Sequence, residues 1–141
     1  MAERPLSARQ LIMRARIAAE SHITAIKEAD PLTYELVDTE IYEFIKSMYH
    51  LTDEDCTTDN FSELTKISLA KSLEISPELV REFDLARSCD GTSSHTAKMV
   101  LLFQKLQNVF EIKFDPLDTA YAETVHDIAR MVYDELIKKK S

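Results

Sequence analysis

Thr96-Ala-Lys-Met-Val-Leu-Leu-Phe-Gln-Lys-Leu-Gln-Asn-Val-Phe110 sets Met99-Val100, Leu102-Phe103, Leu106 and Phe110 at helical spacing. Phe110-Glu-Ile-Lys-Phe114 then leaves as an apolar exit and runs into Asp115-Pro116. A last helix opens at Thr124-Val-His-Asp127, where threonine and aspartate are suited to accept from the free amides of a helix start. A long amphipathic helix, an apolar exit turn, a short connector and a capped final helix thus form the back half of a helical bundle.

Working outward, Asp90-Gly91-Thr92-Ser93-Ser94 holds the single glycine of the chain and marks its sharpest turn. Ahead of it, Ser76-Pro77-Glu78 has the form of a helix start, with Leu79, Val80, Phe83 and Ala86 continuing to about Ser88. Ser62 reads as the cap of a helix carrying Ile67, Ala70 and Leu73. The segment from Leu51 to Asn60 is an acidic, threonine-rich loop with Asp53, Glu54, Asp55 and Asp59. A helix beginning after Thr33 buries Val37, Ile41, Phe44, Ile45 and Met48. The first helix starts from a capping box, Ser7-Ala-Arg-Gln10, and stops near Asp30-Pro31. Six helices result, with residues 1–60 as an N-terminal helical extension packed on a bundle of residues 61–141, in one compact domain.

Composition agrees with an all-α chain. It has 141 residues, 45% hydrophobic and 30% charged, with one glycine and four prolines. So few turn formers argue against a sandwich, a barrel or a nucleotide-binding α/β fold. A net charge of −8 repels nucleic-acid phosphates and anionic membranes and favours partner proteins with basic surfaces. The basic cluster Lys138-Lys139-Lys140 reads as cations completing the dipole of the last helix. Cys56 and Cys89 are isolated, with no CxxC or metal-ligand spacing. No segment has signal-peptide form and no apolar run is long enough to span a membrane. A cytoplasmic protein with reduced thiols is the expectation.

From Leu69 onward the order of these features resembles the acyl carrier protein family. Leu69-Ala-Lys-Ser-Leu-Glu-Ile-Ser-Pro-Glu-Leu-Val80 is similar to the end of that family's first helix and the turn after it. Val100 to Phe114 resembles its second helix and exit, and Ala122-Glu-Thr-Val-His-Asp-Ile128 resembles the opening of its last helix. The resemblance covers about half of the chain and implies an acyl-carrier-like bundle with additional N-terminal helices. It also implies a non-enzymatic role in fatty acid, polyketide or peptide biosynthesis: carrying an acyl or aminoacyl thioester on 4'-phosphopantetheine and presenting it to partner enzymes.

In that family the prosthetic group sits on a serine at the start of the second helix, where a phosphate meets unpaired amides at the positive helix end. Counting back from Phe110 puts this position at Thr96, between His95 and Ala97. Two residues earlier, Gly91-Thr-Ser-Ser94 resembles the Gly-Gly-His-Ser form of peptidyl carriers, which makes Ser94 the attachment site, with Ser93 beside it and His95 pairing with the phosphate. A second register places Ser68-Leu69 at the Ser-Leu position. It treats residues 65–95 as an insertion and 34–50 as the first carrier helix. The competing reading has Ser93 or Ser94 serving as a helix cap.

The sequence departs from the family where partners dock. The exposed positions of the long helix are Lys98, Gln104, Lys105, Gln107 and Asn108, with Glu111 the one acid among them. The alternative function is therefore an unmodified helical interaction module that binds another protein or a second copy of itself as a homodimer. Leu11, Ile12 and Met13 in succession are too many for one buried stripe and suggest contact on two sides.

Other chemistry lacks its parts. Glu123-Thr-Val-His126 has di-iron bundle spacing, but no second such pair exists. Cys89 and His95 flank the glycine turn without an oxyanion hole. His22 reads as a half-buried packing residue, His50 as a cation ending the second helix, and His126 as a polar surface residue.

Overall fold

The computed structural model describes residues 8–73 and 94–140, and among these all regular structure is helical. The helices are α1 (Ala8–Glu28), α2 (Tyr34–Met48), α3 (Phe61–Leu73), α4 (Ser94–Phe110), α5 (Pro116–Tyr121) and α6 (Val125–Lys140). The expected cap Ser7, the helix from Ser76 to Ser88, Cys89 and the turn through Ser93 lie outside the described residues.

Helix ends fall where side chains satisfy backbone groups that the helix itself leaves open. Thr33 is extended and its hydroxyl accepts from the Leu36 amide at 3.2 Å, opening α2. At the other end His50 adopts φ 57°, and the Leu51 amide returns to the Lys46 carbonyl at 2.8 Å. This is the left-handed stop in which the last carbonyls are capped by the chain folding back. Lys71 brings a cation to this end, its Nζ lying 2.9 Å from the His50 carbonyl. α4 stops in the same way, with Glu111 at φ 53° and the Ile112 amide on the Gln107 carbonyl at 3.0 Å. The Gln107 side chain also accepts from the Phe114 amide at 2.9 Å, which fixes the apolar exit. On α6, Thr124 Oγ1 accepts from the Asp127 amide at 3.1 Å, and Asp127 Oδ2 accepts from the Thr124 amide at 3.0 Å. This is the reciprocal cap expected from Thr124-Val-His-Asp127.

α1 lies along α2, α2 packs against α6, and α3 packs against α4. Val37, Ile41, Phe44 and Ile45 of α2 are fully buried, as are Leu64, Leu106, Ile128 and Val132 from the later helices. One hydrophobic cluster runs from Ala19 to Val132, so residues on both sides of position 60 share a core. Through it runs an aromatic series: Tyr49 stacks on Phe61 at 5.9 Å, Phe61 meets Phe103 edge-on at 5.6 Å, and Phe103 meets Phe114 edge-on at 6.0 Å. These spacings are the offset and T-shaped arrangements that the ring quadrupole favours.

The starts of α3 and α6 are joined. The Phe61 amide donates to the Glu123 carbonyl and the Val125 amide to the Asp59 carbonyl, each at 2.8 Å, making an isolated antiparallel bridge at Asn60 and Thr124. Two open helix-start donors are thereby satisfied beside two fully buried side chains, Phe61 and Val125.

Three expectations are corrected. The cap of α3 is Asn60, whose Oδ1 accepts from the Glu63 amide at 2.9 Å, and Ser62 falls inside the first turn. The connector before the last helix contains α5, started by Asp115 accepting from the Leu117 amide at 2.8 Å with Pro116 in its first turn. Val100 is 46% exposed: the buried stripe of α4 is Leu102, Phe103, Leu106 and Phe110, and Val100 and Leu101 lie off it.

Replacing Phe61, the ring shared by two of these aromatic contacts, removes buried surface from three elements at once. Phe61→Ala is expected to cost about 3–5 kcal/mol of stability, read as a fall in the urea midpoint with an unchanged slope.

Candidate functional site

The expected attachment residues sit in different surroundings. Ser94 is the first residue of α4 and His95 the second, while their side chains, like Ser93, lie outside the described residues. Thr96 is an exposed residue of the same first turn. Ser68 is 1% exposed inside α3, and its hydroxyl donates to the Tyr49 carbonyl at 2.8 Å. A hydroxyl so placed is closed to a modifying enzyme unless α3 moves, and it is not at a helix start. The register through Ser68 therefore lacks an accessible nucleophile in this structure.

Below the start of α4 the surface is mixed. Lys98 is half-buried with its ammonium 4.9 Å from the centre of the Tyr49 ring, and burial holds its pKa below the usual lysine value. Burial raises the Tyr49 phenol, which accepts a hydrogen bond from Thr65 Oγ1 at 3.2 Å. Beyond Lys98, Val100 and Leu101 are exposed at 46% and 64%, with the exposed Gln104 one turn on. Lys105 and Gln107, expected on the surface, are half-buried, while Asn108 and Glu111 are exposed. Met99 to Phe103 is one unbroken apolar run, so the sequence alone does not separate Val100 from the buried stripe. A helical wheel centred on Leu102 and Leu106 turns Val100 outward.

A second cluster joins α2, α6 and the loop before α3. His126 Nδ1 lies 2.7 Å from Asp38 Oδ1, and its Nε2 lies 3.4 Å from Asp59 Oδ2. The Tyr34 hydroxyl donates to the His126 carbonyl at 3.3 Å, and the Arg130 guanidinium lies 4.2 Å from the Tyr34 ring centre. Tyr42 donates to the Thr58 carbonyl at 3.1 Å, and burial, followed by the nearby Cys56, pushes its phenol up to about 12. Burial raises the Cys56 thiol as well, which leaves it a weak nucleophile. Nothing in the local sequence announces the Asp38–His126 contact, because folding brings the two together from distant parts of the chain. His22, expected to be half-buried, is so, and its Nδ1 lies 2.6 Å from Glu40 Oε2.

Among the described residues no group of three His, Cys, Asp or Glu side chains is placed to hold a metal ion, and no helix is long and apolar enough to cross a membrane. No protein-family model matches the chain, and neither curated proteins nor solved structures provide a match.

The His126 cluster makes stability depend on pH. The hydrogen bond to Asp38 is the largest cause raising the His126 pKa above 6.5, and the charges of Asp38, Asp59 and Asp127 add to it. A group raised on folding stabilises fully below its unfolded pKa, and that contribution is lost as pH rises through the folded value. The stability gap between the native chain and His126→Gln should thus be largest just above the carboxylate range and shrink as pH climbs past about 6.5. Urea midpoints for both proteins across that range provide the check, and a gap that widens with pH contradicts the assignment.

Proposed function

We propose that this chain is an acyl-carrier-like protein that holds a phosphopantetheine arm on Ser94 and presents an acyl or aminoacyl thioester to partner enzymes. The observation that carries the reading is the succession α4, left-handed exit at Glu111, Asp115-capped α5 and Thr124–Asp127-capped α6, with Ser94 opening α4. A phosphoester there would sit at the positive end of a helix of 17 residues, among amides without intrahelical partners.

In this reading α1 and α2 are the additional N-terminal helices packed on the bundle, α2 against α6, and the carrier-like part begins with α3. Exposed Val100 and Leu101, rather than an acidic stripe, would meet the partner enzyme. His95 would face the phosphate from the same first turn, and Ser93 and Thr96 are the neighbouring alternatives for attachment. The setting would be cytoplasmic. A second reading, an unmodified module that binds another protein, draws its support from Ile12, Met13 and Ile17, which remain more than half exposed on α1.

Intact mass after incubation with coenzyme A and a broad-specificity phosphopantetheinyl transferase tests the proposal. The expected result is a gain of one phosphopantetheine that Ser94→Ala abolishes. A gain retained in Ser94→Ala and lost in Ser93→Ala or Thr96→Ala would move the site. No gain, under conditions that modify an established carrier, would leave the second reading.

A further inference from the structure

The N-terminal half of α1 runs against the charge of the molecule. On a chain of net charge −8 it carries Arg9, Arg14 and Arg16 with no acid before Glu20. All three arginines are exposed, and among the described residues none has a carboxylate within 4.0 Å. Between them are apolar residues that the bundle does not cover: Met13 is 55% exposed and Ile17 66%. At about 100° per residue Met13 and Ile17 stand one turn apart in a line, with Arg9 and Arg16 along one side and Arg14 along the other.

α5 and α6 present the same pattern with the opposite sign. Leu117 and Tyr121 are also one turn apart, and are exposed at 65% and 78%. Beside them a groove of about 300 Å³ is lined by five acids, among them Asp118, Asp134 and Glu135, against two bases. Both bases are engaged: Arg130 lies over the Tyr34 ring, and Lys138 Nζ is 3.0 Å from Glu135 Oε1.

We propose that α1 of one copy docks on the α5–α6 face of a second copy, Met13 and Ile17 against Leu117 and Tyr121, with the arginines over the acidic rim. α1 is committed along its other face to α2, so its outward face meets such a groove on another molecule. The same apolar and basic face would also suit an anionic bilayer, but the remainder of the chain carries the charge that such a surface repels. Two helical turns bury less than the roughly 1,200 Å² of a stable interface, so a single contact is weak. Made twice about a two-fold axis, it becomes a dimer contact. The inference holds whether or not Ser94 is modified.

Sedimentation velocity over rising protein concentration, at low salt and at about 1 M salt, tests it on the full chain. The average mass should climb towards twice that of the chain at low salt and fall back in high salt. Charge reversal on either side, Arg14→Glu with Arg16→Glu or Asp118→Arg with Asp134→Arg, should weaken association at least about tenfold, with an unchanged circular dichroism spectrum. Mixing the two reversed proteins should restore a heterodimer, because each then meets its complement. A monomer at every concentration overturns the proposal, as does association that survives both reversals. Binding of the monomer to phosphatidylserine vesicles through the same arginines would overturn it in favour of a membrane surface.

Discussion

Two backbone hydrogen bonds, from the Phe61 amide to the Glu123 carbonyl and from the Val125 amide to the Asp59 carbonyl, hold the arrangement together. They bring the starts of α3 and α6 side by side in the core, so two positive helix ends face one region. Like ends in proximity repel, and the structure answers with acids: Asp38, Asp59 and Asp127 gather at the junction. Asp127 is held below the usual carboxylate range, chiefly by the Glu123 and Thr124 amides. His126, a base in the first turn of a helix, is held there by carboxylates on two other segments. Part of the strong acidity of the chain is therefore structural.

From this junction the aromatic series leads away to α2 through Tyr49 and to α4 through Phe103. It ends at Phe114, in the exit that Gln107 fixes. The far end of α4 is held a second time, by Lys139 Nζ at 3.1 Å from the Phe110 carbonyl. Lys139 thus acts on the end of a helix other than its own, beyond what the sequence suggested for the C-terminal lysines. The long helix is anchored at its carboxyl end by backbone, amide side chain and lysine together. Towards its amino end, Val100 and Leu101 remain exposed.

Periodicity and capping chemistry made much of this legible in the sequence. α2 follows its apolar stripe and α4 follows its own apart from Val100, and Thr33 and the Thr124–Asp127 pair cap where their residue types predict. What was missed has physical reasons. α5 is too short to display a helical period, although Asp115-Pro116 carried its start signal. Asn60 and Ser62 are both good caps, and the choice between them is made by a bridge to Thr124 that no local window contains. Five successive apolar residues from Met99 to Phe103 do not say which of them leave the stripe, and Val100 is one that does. The pairing of Asp38 with His126 exists only after α2 and α6 have met. Of the candidate attachment residues, burial speaks against Ser68.

The junction at Asn60 and Thr124 also makes the chain between them a closed loop with pinned ends. The entropy of closing such a loop grows only with the logarithm of its length, so each doubling costs about 0.6 kcal/mol. The two hydrogen bonds of the bridge join segments that are distant in the chain, so they form only once α3 and α6 have met, and they report on the assembled bundle rather than on either helix alone.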